Sequence, residues 1–126
     1  MGRVLIIDDD SHILKMMKKM LERAGFEVGL ALNGNEGLEA FKNAPADLVI
    51  CDIIMPEKEG LETIREMRRL YSGLKILAMS GGGRVSSKNY LNTARAFGAT
   101  KTMAKPFSQK QMVSAVRELM SNASQA

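Results

Sequence analysis

Five polar side chains in this chain each stand where an apolar run stops. Asp8 and Asp9 follow the run at residues 3–7, Asp52 ends the run at residues 48–52, Ser80 follows residues 75–79, and Lys105 follows residues 101–104. Short β-branched runs of this kind read as buried strands. A single aspartate at a strand end is unremarkable, because Asp is a favoured turn residue, and Asp10 is accounted for as a helix N-cap. Asp8 and Asp9 are left over by that account. Carboxylates about 4 Å apart repel by roughly 4 kcal/mol per pair at an effective dielectric near 20, so three of them in one place call for a cation. An oxygen-only donor set selects a hard ion, and Mg²⁺ fits because it accepts one or two carboxylates while keeping waters and phosphate oxygens. A lysine point charge and a serine hydroxyl suit the oxygens of a phosphoryl group. The chemistry indicated is phosphoryl transfer onto a carboxylate.

The intervening segments must bring these ends together. Residues 11–24 carry Ile13, Leu14, Met17, Met20, Leu21 and Ala24 at helical spacing, with Gly25 placed to end the helix and Phe26 as the contact beyond it. Asn33 and Glu36 cap a helix running to about residue 43, with Leu38 and Phe41 inward. A third helix after Gly60 directs Leu61, Ile64, Met67 and Leu70 inward and stops at Gly73. A fourth spans residues 87–97, and Ser108 with Gln111 caps a last one bearing Met112, Val113, Val116, Leu119 and Met120. Five strands alternating with five helices imply an α/β fold with a mostly parallel sheet, right-handed crossovers and all strand C-termini at one edge. Ligands bind at that edge in open α/β sheets.

Composition agrees and excludes much else. At 126 residues the chain suffices for one domain. Its 45% hydrophobic and 25% charged residues are those of a globular protein, and no run approaches a membrane span. One cysteine and no signal-like N-terminus point to the cytoplasm, with no membrane insertion. The net charge of +4 comes from 18 Lys and Arg spread from Arg3 to Arg117, so no direct contact with nucleic acid is expected. The glycines at 81–83 lack the Gly-Lys-Ser/Thr ending of a P-loop and read as a mobile loop. His12 reads as a surface or capping residue, Cys51 as a small buried hydrophobe, and the ten Met residues mostly as core filling.

On Asp8 and Asp9, the segment 52–60 with Met55 and Pro56, Ser80, and Lys105-Pro106-Phe107, the chain resembles the receiver domains of two-component response regulators over essentially its whole length. The resemblance implies a doubly wound, flavodoxin-like α/β fold of five parallel strands in the order 2-1-3-4-5 with five helices, a receiver domain at 1–120 and a polar tail at 121–126. It implies that Asp52 is the phosphoacceptor and that Mg²⁺ is held by Asp9 and Asp52 directly, by Asp8 through water and by the backbone carbonyl of Ile54. Ser80 and Lys105 hold the phosphoryl oxygens, and the Lys105-Pro106 peptide is cis. The donor is a phosphohistidine on a sensor histidine kinase or histidine phosphotransfer protein, and the output is a switch in binding to a downstream target protein. The domain is then a signalling switch that assists its own phosphorylation and dephosphorylation, and not a conventional enzyme. With no effector segment after Met120, a stand-alone or trimmed regulator is expected.

Thr102 departs from the family, which usually carries Phe or Tyr three residues before the lysine. The signal is therefore expected to leave through the loop at 81–87. An alternative is an aspartyl-phosphate phosphohydrolase of haloacid dehalogenase type, but that class wants a second acid two residues after the nucleophile, where Ile54 stands. A scaffold that takes up no phosphate is the third reading.

Overall fold

The computed structural model describes residues 2–53, 59–80 and 87–123. Ile54, Met55, Pro56 and the glycines of the 81–87 loop, and with them the expectations placed there, lie outside the described residues. Strands and helices alternate along the chain: β1 (Arg3–Ile7), α1 (Ser11–Arg23), β2 (Glu27–Ala31), α2 (Gly34–Asn43), β3 (Leu48–Asp52), α3 (Glu59–Leu70), β4 (Lys75–Ser80), α4 (Ser87–Phe97), β5 (Lys101–Ala104) and α5 (Gln109–Ala123). The five strands pair in parallel in the order β2-β1-β3-β4-β5, the doubly wound, flavodoxin-like arrangement expected from the sequence.

Local sequence chemistry sets the helix ends. Asp10 caps α1, its carboxylate accepting from the backbone N–H of His12 at 2.9 Å. Gly25, at φ 99°, closes the same helix, with Phe26 N–H donating to Leu21 O and Gly25 N–H to Glu22 O. Asn33 caps α2 by accepting from Glu36 N–H at 2.9 Å. Ser108 and Gln111 satisfy one another's backbone N–H groups at the start of α5, at 3.0 and 2.8 Å.

The sheet is sandwiched between two apolar layers. Val4, Ile6, Ile50 and Leu77 face α1 and α5, whose Leu14, Met17, Val116 and Leu119 complete that layer. Leu5, Ile7, Val49 and Ile76 face the other way, with Phe41, Ile64 and Met67. This alternation buries β3 on both faces. Cys51 is fully buried, as its reading as a small hydrophobe requires.

Two expectations are corrected. Leu70 does not point inward but is 52% exposed. Nine residues at 100° each carry it half a turn from Leu61, and Tyr71 instead packs against the second layer, its ring centroid 4.4 Å from that of Phe41. The last helix also continues to Ala123, three residues past the end of its apolar stripe. Among the described residues no helix is long and apolar enough to cross a membrane.

Candidate functional site

Parallel pairing puts Asp8, Asp52, Ser80 and Lys105 at one edge of the sheet. Asp8 directly follows β1, and its backbone N–H donates to Ala31 O at the end of β2. Its side chain is fixed by the chain that follows, since Asp8 Oδ1 accepts from Asp10 N–H at 2.9 Å. Asp52 is the last residue of β3 and lies opposite Met79, while Ser80 ends β4 opposite Ala104. Lys105 comes next after β5, and its backbone N–H donates to Ser80 O at 2.7 Å. The peptide between Lys105 and Pro106 is cis, as the resemblance implied.

The side chains converge. One oxygen each from Asp8, Asp9 and Asp52 fall within 4.8 Å of one another. Asp8 and Asp52 are buried and Asp9 is exposed, so the cluster opens to solvent on the Asp9 side. Lys105 Nζ reaches into it, 3.1 Å from Asp8 Oδ2 and 3.5 Å from Asp52 Oδ2. Among the described residues, three carboxylates thus face one ammonium. Such a set of hard oxygen donors fits a divalent cation of the Mg²⁺ kind, with Asp8, Asp9 and Asp52 as the side chains that could hold it.

Ser80 differs from its neighbours. Its hydroxyl oxygen is completely buried and has no hydrogen-bond partner among the described residues. Buried polar atoms are nearly always paired, because leaving one unsatisfied costs about 1–3 kcal/mol. Beside a cluster of three carboxylates, an orphan hydroxyl of this kind is placed to meet an oxygen-rich ligand.

Gly60 is the contributor that sequence reasoning undervalued. It lies within the first turn of α3, not before the helix, and a Cβ there would overlap the Asp52 carbonyl oxygen and stand 2.5 Å from Ile53 Cα. Only glycine lets the start of α3 press against the backbone of the Asp52 strand end. The available signal was its position eight residues after Asp52. Thr102 is half-buried on β5, and Arg95 of α4 donates to its hydroxyl at a long 3.5 Å. Ile54 lies outside the described residues.

Comparison with known proteins gives a consistent result. The family model for the response regulator receiver domain matches residues 4–117. The chemotaxis protein CheY of Thermotoga maritima is 35% identical over 118 residues, covering 93% of this chain and 96% of that protein. The transcriptional regulatory protein CpxR of Escherichia coli is 28% identical over 120 residues, covering 95% of this chain but 50% of CpxR, so the chain spans about half the length of that relative. A solved CheY-like response regulator receiver domain protein from Methanospirillum hungatei superposes with a TM-score of 0.88 at 28% identity, covering 99% of this chain and 98% of the other. None of these likenesses supports the hydrolase alternative. With the expected strand order and the acid cluster in place, the chain belongs to the response regulator receiver domain family of two-component signalling.

Proposed function

We propose that Asp52 accepts a phosphoryl group from a phosphohistidine on a sensor histidine kinase or histidine phosphotransfer protein. The observation that carries this reading is the position of Asp52 at a strand end, within the Asp8–Asp9 cluster and 3.5 Å from the Lys105 ammonium. An oxygen of the Asp52 carboxylate attacks phosphorus, the P–N bond to the donor imidazole breaks, and the imidazole leaves with the bonding pair and is protonated from solvent. An acyl phosphate forms on Asp52. Lys105, already between two carboxylates, follows the negative charge onto the phosphoryl oxygens. The Ser80 hydroxyl, without a partner among the described residues, donates to one of those oxygens.

Asp8, Asp9, Asp52 and the backbone carbonyl of Ile54 would hold Mg²⁺. When bound, that ion neutralises the crowded acids and the charge on the transferring group. The buried floor of the site restricts water, while the exposed Asp9 side leaves a route for the donor and, later, for hydrolysis. The phosphorylated chain would then differ from the unphosphorylated one in its affinity for a downstream protein. The site lies in the cytoplasm, where such donors are found.

The test is intact-mass measurement after incubation with Mg²⁺ and acetyl phosphate. The wild-type chain should gain one phosphoryl group, and Asp52→Asn none, because the amide keeps the shape but is a far weaker nucleophile. Labelling of Asp52→Asn at the wild-type level would sink the assignment. Continuous turnover of many phosphate esters would mean a hydrolase, and no uptake by wild type would mean a scaffold.

A further inference from the structure

Counted by element, helices α1 and α5 together form one basic face of the chain, beside the acid-free segment 84–105. Helix α1 carries Lys15, Lys18, Lys19 and Arg23 against Glu22, and α5 carries Lys110 and Arg117 against Glu118. That surplus of four equals the net charge of the whole chain, so everything outside these two helices balances. The two helices are neighbours, packed on the same face of the sheet. Between them lies a groove of about 690 Å³ whose rim includes Arg23, Lys110 and Arg117 and whose lining includes Ala24, Val113 and Ser114. None of the three rim cations makes an ion pair with a described residue. Glu118, the acid of α5, pairs with Lys101 of β5 at 3.6 Å instead.

We infer that this groove docks an acidic, apolar-striped helical segment of a partner protein. Both of its chemical components are needed for that reading. The unpaired guanidinium groups favour carboxylates, which they bind in a bidentate fork. The small residues Ala24 and Ser114 keep the floor shallow, and Ala24 and Val113 give it apolar area, which suits side chains on one face of a helix. A free phosphate ion would fill little of the space, since one water's share of volume is about 30 Å³. A nucleic-acid backbone would use the rim but find nothing to pair with on the floor. The groove shares no residue with the acid cluster, so binding there and phosphate uptake can be measured separately.

The probe is a fluorescent sixteen-residue peptide of Glu and Leu, with Leu at helical spacing and Glu on the flanks, titrated into the full chain followed by backbone NMR. Binding should shift Arg23, Ala24, Lys110, Val113 and Arg117 while leaving Asp8 and Asp52 unmoved. The double variant Arg23→Glu with Arg117→Glu should weaken binding at least tenfold, and Ser114→Trp should do the same by filling the groove without changing charge. Both variants should still take up phosphate from acetyl phosphate as wild type does, which separates a failure here from a failure of the Asp52 assignment. A leucine-free polyglutamate peptide should bind more weakly than the probe. Shifts mapping elsewhere, wild-type binding by Ser114→Trp, or tighter binding of a 20-base-pair DNA duplex or phosphatidylserine vesicles abolished by the charge reversal would overturn the inference.

Discussion

At the edge of the sheet where the strands begin, Arg68 of α3 ties together the ends of two helices. Its Nε and Nη2 donate to Gly98 O at 3.0 and 2.9 Å, and its Nη1 donates to Ser72 O at 2.7 Å. Gly98, at φ 124°, lies so close that a Cβ there would be 2.7 Å from Arg68 Cγ. At the opposite edge the Lys105 side chain ties β5 to β1 and β3 through ion pairs, one of them hydrogen-bonded to Asp8 at 3.1 Å and the other 3.5 Å from Asp52. Arg68 meets neutral carbonyls in a fixed fork, and its partial burial lowers its pKa from the ordinary arginine value. Lys105 is a point charge facing more negative charge than it carries. The first arrangement is a closed structural joint, whereas the second can exchange its cation for another ion or pass it to a new anion.

The largest stability effect should come from breaking the joint. Arg68→Ala strands the Gly98 and Ser72 carbonyls and removes the packed stem, costing about 3 kcal/mol in denaturant unfolding. Mg²⁺ should not restore that loss, and the folded fraction should still take up phosphate. Lys105→Met should cost less, about 2 kcal/mol without metal, because it removes one charged hydrogen bond, to Asp8, at an edge open to water on the Asp9 side. Here Mg²⁺ should stabilise the variant more than it stabilises wild type, since a bound cation stands in for the ammonium. Equal Mg²⁺ responses of the two variants would erase the distinction between joint and exchangeable tie.

Smaller effects refine the acid edge. Asp9→Asn should raise the metal-free melting temperature slightly by removing one of three crowded charges, while weakening Mg²⁺ binding roughly tenfold. Unchanged Mg²⁺ affinity, measured by calorimetry, would remove Asp9 from the cluster. Ser80→Ala should be nearly silent in stability, or stabilising by up to about 1 kcal/mol, because it deletes a buried hydroxyl with no hydrogen-bond partner among the described residues. Its phosphate uptake should nevertheless slow. A clear loss of stability would mean that the hydroxyl has a resting partner.

Much of this edge was legible beforehand because apolar runs ending abruptly in acids, serine or lysine mark strand ends directly. The caps at Asp10, Asn33 and Ser108 were legible for the same reason, being interactions of residues three or fewer apart. The sheet order came from the family resemblance, since alternation alone fixes parallel strands but not their sequence in space. What escaped was whatever depends on distance between remote residues. Nothing local reveals that Lys105 rests on Asp8, that Gly60 touches the Asp52 backbone, or that Arg68 fills the space beside Gly98. The placing of Leu70 inward failed because a three-residue repeat drifts around a helix with 3.6 residues per turn. The charge surplus was missed because basic residues were read along the chain, whereas α1 and α5 are adjacent only after folding.

The 97 residues separating Lys105 from Asp8 bear on how the chain reaches its folded form. The acids come from β1 and β3, which are central and paired with one another, while their ammonium arrives on the edge strand β5. A chain that has assembled β1 and β3 but not β5 therefore lacks the Lys105 ammonium beside these crowded carboxylates, and their repulsion opposes its accumulation. Long-range parallel pairing is slow because loop closure precedes any reward in contacts. Docking of β5 removes both burdens at once. Partly assembled sheets are thereby selected against, and the cluster proposed to serve phosphate chemistry in the finished protein also makes its assembly more nearly all-or-none.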